Sequence, residues 1–201
     1  MIWNKQNPYL AEIISAKLLS GKNSNKEIMH YKISLGESKI NYDPGDSLGV
    51  IPLNNHQLVT DIIIRLGYSP LNIVEGYDKT IFELLESQFE ILSPTNRFIA
   101  YINENIHHTE LNKIIKNQDK TLLSQFKYGK SVLDFLNLDS KFNIDLNKFL
   151  SLLKPLQHRA YSISSSILKY PKEVHLTVST QRWEKNSQKY SGVCSTFLAD
   201  D

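Results

Sequence analysis

Two short stretches carry the residues that could do chemistry: Arg159-Ala160-Tyr161-Ser162, and Gly192-Val193-Cys194-Ser195 about thirty residues later. The first sets a guanidinium, an aromatic ring and a hydroxyl within one strand length. A guanidinium forks onto phosphate oxygens, a ring offers a stacking face, and a hydroxyl can bond a ring heteroatom. The second is a small-residue turn leading into a helical run. The free N–H groups and positive dipole end of a helix start suit an anion such as a pyrophosphate. Together the two stretches have the parts of a nucleotide grip.

Each part also has a plainer reading. Arg159 serves equally in a surface salt bridge. Tyr161 could face a cofactor or fill a core. Ser162 could be one more turn serine in Ser162-Ile163-Ser164-Ser165-Ser166. In an extended strand Arg159 and Tyr161 share one face and Ser162 the other. Thr177 and Ser179 lie opposite the apolar face of their strand, which suits either a flat ligand or solvent. Gly192 allows close backbone approach, yet Gly/Ser turns before helices are common. Cys194 has no histidine or acid beside it in sequence and is a poor candidate nucleophile. Spacing alone leaves these plainer roles ahead.

Composition narrows the field. The 201 residues suffice for one large domain or two small ones, and 41% are hydrophobic, enough for a core. The net charge of +2, with both signs interspersed, calls for neither nucleic acid nor membrane. The single cysteine rules out internal disulfides and fits a reducing, cytoplasmic setting. No window approaches the ~18–20 apolar residues of a membrane span. The histidines show no metal-site spacing, so no metal is expected. Neither a Walker loop nor Gly-x-Gly-x-x-Gly occurs, so any nucleotide must sit on a β scaffold.

The elements that must position these residues fall into three segments. Residues 7–52 read as strands: Tyr9 to Leu19, then Met29, Tyr31, Ile33 and Leu35 alternating with polar residues, then Leu48 to Ile51. Turns are expected at 21–25 and at Asp43-Pro44-Gly45-Asp46. Residues 54–154 read as helical. Leu58 to Leu66 stops at Gly67, and Ser69-Pro70 and Ser93-Pro94 look like helix starts. Thr80 with Glu83 has capping-box spacing, and Leu111–Ile115 and Val132–Leu136 give two more helices. Asp145 caps a last helix. Residues 157–201 return to β structure, with strands at Tyr161–Ser164 and Val174–Val178, then a helix after Gly192. The two β segments should share one sheet, since neither alone buries a core.

In this setting Arg159-Ala160-Tyr161-Ser162, with the serines that follow, resembles the Arg-x-Tyr-Ser motif of the ferredoxin–NADP reductase superfamily. The resemblance covers essentially the whole chain and lies with the diflavin reductases. Asn7-Pro8-Tyr9 and Tyr42-Asp43-Pro44-Gly45-Asp46-Ser47-Leu48-Gly49-Val50 are similar to segments of their FAD domain. Glu173 to Val178 and Gly192 to Asp200 look most like the sulfite reductase branch.

The resemblance implies an α+β fold. An antiparallel β-barrel FAD-binding domain of the ferredoxin reductase-like type would comprise residues 7–53 and 156–201, its final strand missing. A helical connecting subdomain would occupy 54–155. Arg159 would bind the FAD pyrophosphate and Tyr161 would lie against the isoalloxazine. Ser162 would be catalytic, near flavin N5, where hydride arrives. Thr177, Val178 and Ser179 would border the ring, although the family usually has glycine or another small residue where Ser179 stands. Trp183 falls where many members carry tyrosine. Gly192, Val193, Cys194 and Ser195 would meet the pyrophosphate. The parent would take hydride from NADPH on FAD and pass electrons through FMN to a haem/iron–sulfur protein. No flavodoxin-like domain precedes residue 7, and the nicotinamide-binding domain would follow Asp201. On that expectation this chain is a fragment incomplete for catalysis. The alternative is a non-catalytic flavin-binding or interaction module.

Overall fold

A computed structural model of the chain describes residues 3–185 and 188–200. The chain divides into two compact units, Met1–Leu53 with Gln157–Asp201, and Asn54–Leu156.

The first unit begins with three strands, β1 (Ile13–Leu18), β2 (Glu27–Ser34) and β3 (Ser47–Val50). The period-two pattern of β2 buries Tyr31 and Ile33, with Leu35 just beyond it. β1 is the exposed edge strand, paired antiparallel to β2 with a register shift between Ile13 and Ser15. It is shorter than the run Tyr9 to Leu19. The turn before β3 forms as its residues require. Asp46 N–H donates to the Asp43 carbonyl at 3.0 Å, and Gly45 takes φ 95°, a conformation open to glycine.

The second unit is mostly helical. In chain order its elements are α1 (His56–Leu66), β4 (Ile73–Val74), β5 (Lys79–Thr80), α2 (Ile81–Ser87), β6 (Phe89–Glu90), α3 (Asn96–Asn105), α4 (Thr109–Lys116), α5 (Lys120–Lys127), α6 (Val132–Leu136), α7 (Leu146–Leu152) and β7 (Lys154–Pro155). α1 ends at Gly67 in the left-handed region. The Thr80–Glu83 capping box forms with both of its hydrogen bonds, and Asp145 caps α7. Phe98 packs edge-on against Phe135 and Phe149, all three fully buried.

Two expectations fail here. Ser69-Pro70 starts a turn, not a helix. Asn72 Oδ1 accepts from Ser69 N–H at 2.7 Å, and the β-branched Ile73-Val74 pairs with Lys79-Thr80. The side chain thus competes with a helix for the backbone. The third helix is capped by Thr95, not Ser93. Helix α5, capped by Asp119, was not anticipated; its mostly polar sequence buries only Phe126.

The chain then re-enters the first unit with β8 (Arg159–Ser162), β9 (Glu173–Thr180), β10 (Arg182–Lys185), β11 (Gln188–Ser191) and α8 (Val193–Asp200). β8 starts two residues before the expected Tyr161. The two β segments do share a sheet. β9 pairs antiparallel with β2, setting Val174 opposite Ile33 and Leu176 opposite Tyr31. The three-stranded order is β1-β2-β9, and β3 pairs with β8. A bridge between Ile163 and Leu176 carries the end of β8 onto β9. Among the described residues the ladders form no closed ring. This unit's core is Tyr31, Ile33, Leu35, Tyr42, Ile163, Val174, Leu176, Val178 and Leu198. No helix among the described residues is long and apolar enough to cross a membrane.

Candidate functional site

The antiparallel register of β3 and β8 fixes the first stretch. Val50 stands opposite Arg159, Gly49 opposite Ala160, Leu48 opposite Tyr161 and Ser47 opposite Ser162. Arg159, Ala160 and Ser162 are exposed, while Tyr161 is half-buried against the core. The Arg159 guanidinium reaches the His158 carbonyl at 3.5 Å, the long limit of a hydrogen bond. Gly49 lies close to its neighbour: a Cβ there would stand 3.3 Å from the His158 ring.

The second stretch packs onto the first. Cys194, in the first turn of α8, is 3% exposed. Its Sγ lies 3.8 Å from the Val50 carbonyl oxygen. Burial pushes the Tyr161 phenol well above its ordinary range. Burial also raises the Cys194 thiol, so it stays protonated and unreactive. The structure therefore brings β8, which carries Arg159 and Tyr161, and the start of α8 to the same strand, β3, where Val50 faces Arg159 and its carbonyl meets Cys194.

α8 is anchored separately at the end of β9. Gly192 N–H donates to the Gln181 carbonyl at 2.8 Å, and Gln181 N–H donates to Ser195 Oγ at 3.0 Å. The Ser195 hydroxyl is thus engaged inside the protein, which leaves only its backbone to meet a ligand. The first intrahelical bond of α8 runs from Thr196 N–H to the Gly192 carbonyl at 3.1 Å. The N–H groups of Val193, Cys194 and Ser195 come before that series, at the positive end of the helix.

Thr177 and Ser179 are exposed on β9, and Thr177 Oγ1 donates to Ser164 Oγ at 3.4 Å, beside the end of β8. Val178 is 2% exposed, its side chain in the core, so it too can offer only backbone. Trp183 comes from another element. It belongs to the β10–β11 hairpin, where it pairs with Tyr190 across the strands and stacks on it at 5.8 Å and 25°. That hairpin, and Tyr190 with it, had no signal beyond the aromatic types. Arg182 ties it down through Glu27 at 3.1 Å and through a bidentate bond to Asp200. Val50, His158 and Gln181 were also missed. Each acts through a contact distant in sequence, so no local pattern marks it.

An exposed cation, a half-buried aromatic plate, small hydroxyls and a helix N-terminus within one unit make a donor set for an anionic, flat-ringed dinucleotide. The comparisons with known proteins agree: a family model described as an FAD binding domain matches residues 3–197. The chain belongs to the FAD-binding domain family. FAD is therefore its cofactor, and the residues present fit it. Sulfite reductase [NADPH] flavoprotein alpha-components are similar along 98% of this chain. The protein from Bacillus subtilis (strain 168) is 31% identical, with 33% of its own length covered. That from Vibrio parahaemolyticus is 33% identical with 32% covered, and that from Neisseria meningitidis serogroup B 34% identical with 32% covered. The chain thus spans about a third of the length of these curated relatives.

Proposed function

We propose that the chain is the FAD-binding portion of an NADPH-dependent flavoprotein reductase of the sulfite reductase type. The observation that supports it most is the meeting of β8, which carries Arg159 and Tyr161, and the start of α8 on β3 in a chain so similar to sulfite reductase flavoproteins. In this reading the unit built from residues 7–53 and 156–201 is the flavin domain, of barrel type, completed by a further strand. Residues 54–155 form the connecting subdomain.

Bound FAD supplies the chemistry, accepting hydride from NADPH and releasing electrons one at a time. The protein supplies position and charge. Arg159 neutralises the pyrophosphate, with Ala160 leaving its face of the strand low. The N–H groups from Gly192 to Ser195 bond the pyrophosphate oxygens without a net charge of their own. Tyr161 packs against the isoalloxazine and keeps its proton. Ser162 is the catalytic hydroxyl, exposed at the end of β8, where it holds a donor toward the reacting nitrogen. Thr177 and Ser179 border the ring with the Val178 backbone, and Trp183 covers it from the hairpin. In the whole reductase, NADPH, an FMN-bearing domain and a haemoprotein acceptor complete the electron path in the cytoplasm.

FAD titration followed by quenching of flavin fluorescence tests the reading. The chain should bind FAD. Arg159→Ala should weaken binding by roughly 10-fold or more, the worth of a charge-assisted hydrogen bond. His107→Ala, at an exposed position of the other unit, should bind as the parent chain does. Equal affinities for the two variants remove Arg159 from its role, and a chain that takes up no FAD overturns the proposal.

A further inference from the structure

Ser162 is the last residue of β8, and the chain turns there from β3 onto β9. Ile163 N–H donates to the Asp46 carbonyl at 2.7 Å, and Ser164 N–H donates to the His175 carbonyl at 2.9 Å. Side-chain packing supports this corner on one side only. A cavity of about 220 Å³ opens behind it, with Tyr42, Asp46, Ser47, Leu48, Ile163 and Val174 in its lining. Atoms that face a gap forfeit dispersion contacts, so packing alone holds the corner loosely.

A circuit of buried hydroxyls supplies the missing restraint. His175 N–H donates to Ser165 Oγ at 3.0 Å. Ser165 Oγ lies 2.7 Å from the Tyr42 hydroxyl, and that hydroxyl donates to the Glu173 carbonyl at 2.9 Å. The phenol has one proton, so the Ser165 hydroxyl must donate to Tyr42. Every donor is used, and the circuit begins and ends on β9. Tyr42 is 5% exposed and Ser165 6%, which makes water a poor substitute for a lost partner. Tyr42 also leads straight into the turn whose Asp46 carbonyl holds Ile163. One residue thus braces the chain just past Ser162 from two directions.

Resting on the FAD reading above, we infer that Tyr42 is a positioning residue for Ser162: its buried phenol, acting through Ser165, ties the end of β8 to β9 and sets where the Ser162 hydroxyl meets the flavin. Tyr42 itself lies in the core of the unit.

Amide hydrogen exchange on the flavin-free full chain tests the tie. Tyr42→Phe should speed exchange at Ile163 and Ser164 by roughly tenfold or more, the effect of a buried polar group left without its partner. The Gly192 N–H, bonded to Gln181 just past the other end of β9, should keep its rate. Ser165→Ala cuts the same circuit and should give the same local pattern, and the double variant should add little to the larger single effect. Equal acceleration at all three amides, or none at Ile163 and Ser164, overturns the inference. FAD isotope-labelled at N5 reads the consequence for the site. In Tyr42→Phe the bound N5 resonance should move toward its position in Ser162→Ala, and in a Ser162→Ala background Tyr42→Phe should move it no further. A purely structural phenol leaves N5 where it is, and that result overturns the positioning role. Failure of the parent chain to quench FAD fluorescence counts against the functional reading, while exchange at Ile163 and Ser164 still decides the tie.

Discussion

Replacing Gly192 by alanine probes the joint on which the site depends. A methyl group there would lie 3.0 Å from Gln181 Cβ and 3.1 Å from Ser195 Oγ. Neither neighbour can move freely. Gln181 is bonded through its carbonyl to Gly192 at 2.8 Å and through its N–H to Ser195 at 3.0 Å. Overpacking of this kind costs about 1–3 kcal/mol. The lower entropy of the unfolded alanine chain returns about 0.4–1 kcal/mol, leaving a net loss of up to about 2.6 kcal/mol. Gly21→Ala is the control, since nothing lies within 4 Å of a Cβ at that position. It should be neutral or slightly stabilising. The chain's two tryptophans, Trp3 and Trp183, both belong to the same unit as Gly192. Tryptophan fluorescence in urea therefore follows that unit even if the two units unfold separately. At about 2 kcal/mol per molar urea, the Gly192→Ala midpoint should fall by up to about 1.3 M, and should lie below that of Gly21→Ala, which gains the same chain entropy without the overpacking. FAD affinity should fall with it, because α8 must shift. A midpoint equal to or above that of Gly21→Ala would refute the close packing of Gly192 on Gln181 and Ser195.

Two further outcomes are expected. Burial first, then His175, Lys32 and Lys17, hold the His30 imidazole below its ordinary value, with the His175 ring edge-on at 5.1 Å. A depressed folded pKa gives stability that is present above about pH 6.5 and lost as pH falls through the lowered value. The tryptophan-monitored midpoint should therefore drop as pH is lowered below 6.5, and His30→Asn should flatten that slope; parallel slopes would contradict it. In the helical unit, Thr80→Ala removes the oxygen that accepts from Glu83 N–H at 3.2 Å and should cost about 1 kcal/mol, read as a lower far-UV circular dichroism midpoint. An unchanged midpoint would show that the capping box adds nothing.

Much of the helical unit was legible because its signals are local. Thr80-x-x-Glu83, Asp145 and Gly67 act within one turn, so their types and spacing suffice. Ser69-Pro70 misled because Asn72 and the β-branched pair after it compete for the same backbone. Helix α5 escaped because its surface is polar and a single phenylalanine faces the core. In the β unit the alternation of Met29, Tyr31, Ile33 and Leu35 marked a buried face, since side chains on a strand have period two. It could not tell which strand lay opposite.

For the site, the types and order of residues were enough to nominate Arg159, Tyr161 and the turn at Gly192, and the family resemblance gave them a cofactor. Their juxtaposition was a different matter. β8 and α8 are thirty residues apart and meet through Val50, itself more than a hundred residues earlier in the chain. Only the antiparallel register of β3 with β8 puts Val50 opposite Arg159, and only the packing of α8 turns Cys194 inward to the Val50 carbonyl. It also showed that Val178 and Ser195 are spent inside the protein, leaving only their backbone to a ligand. The sequence alone determined which groups this protein has to offer FAD, because chemistry and local spacing are written in residue types. The tertiary structure decided which of those groups face outward together, because that depends on pairings between residues that no local pattern connects.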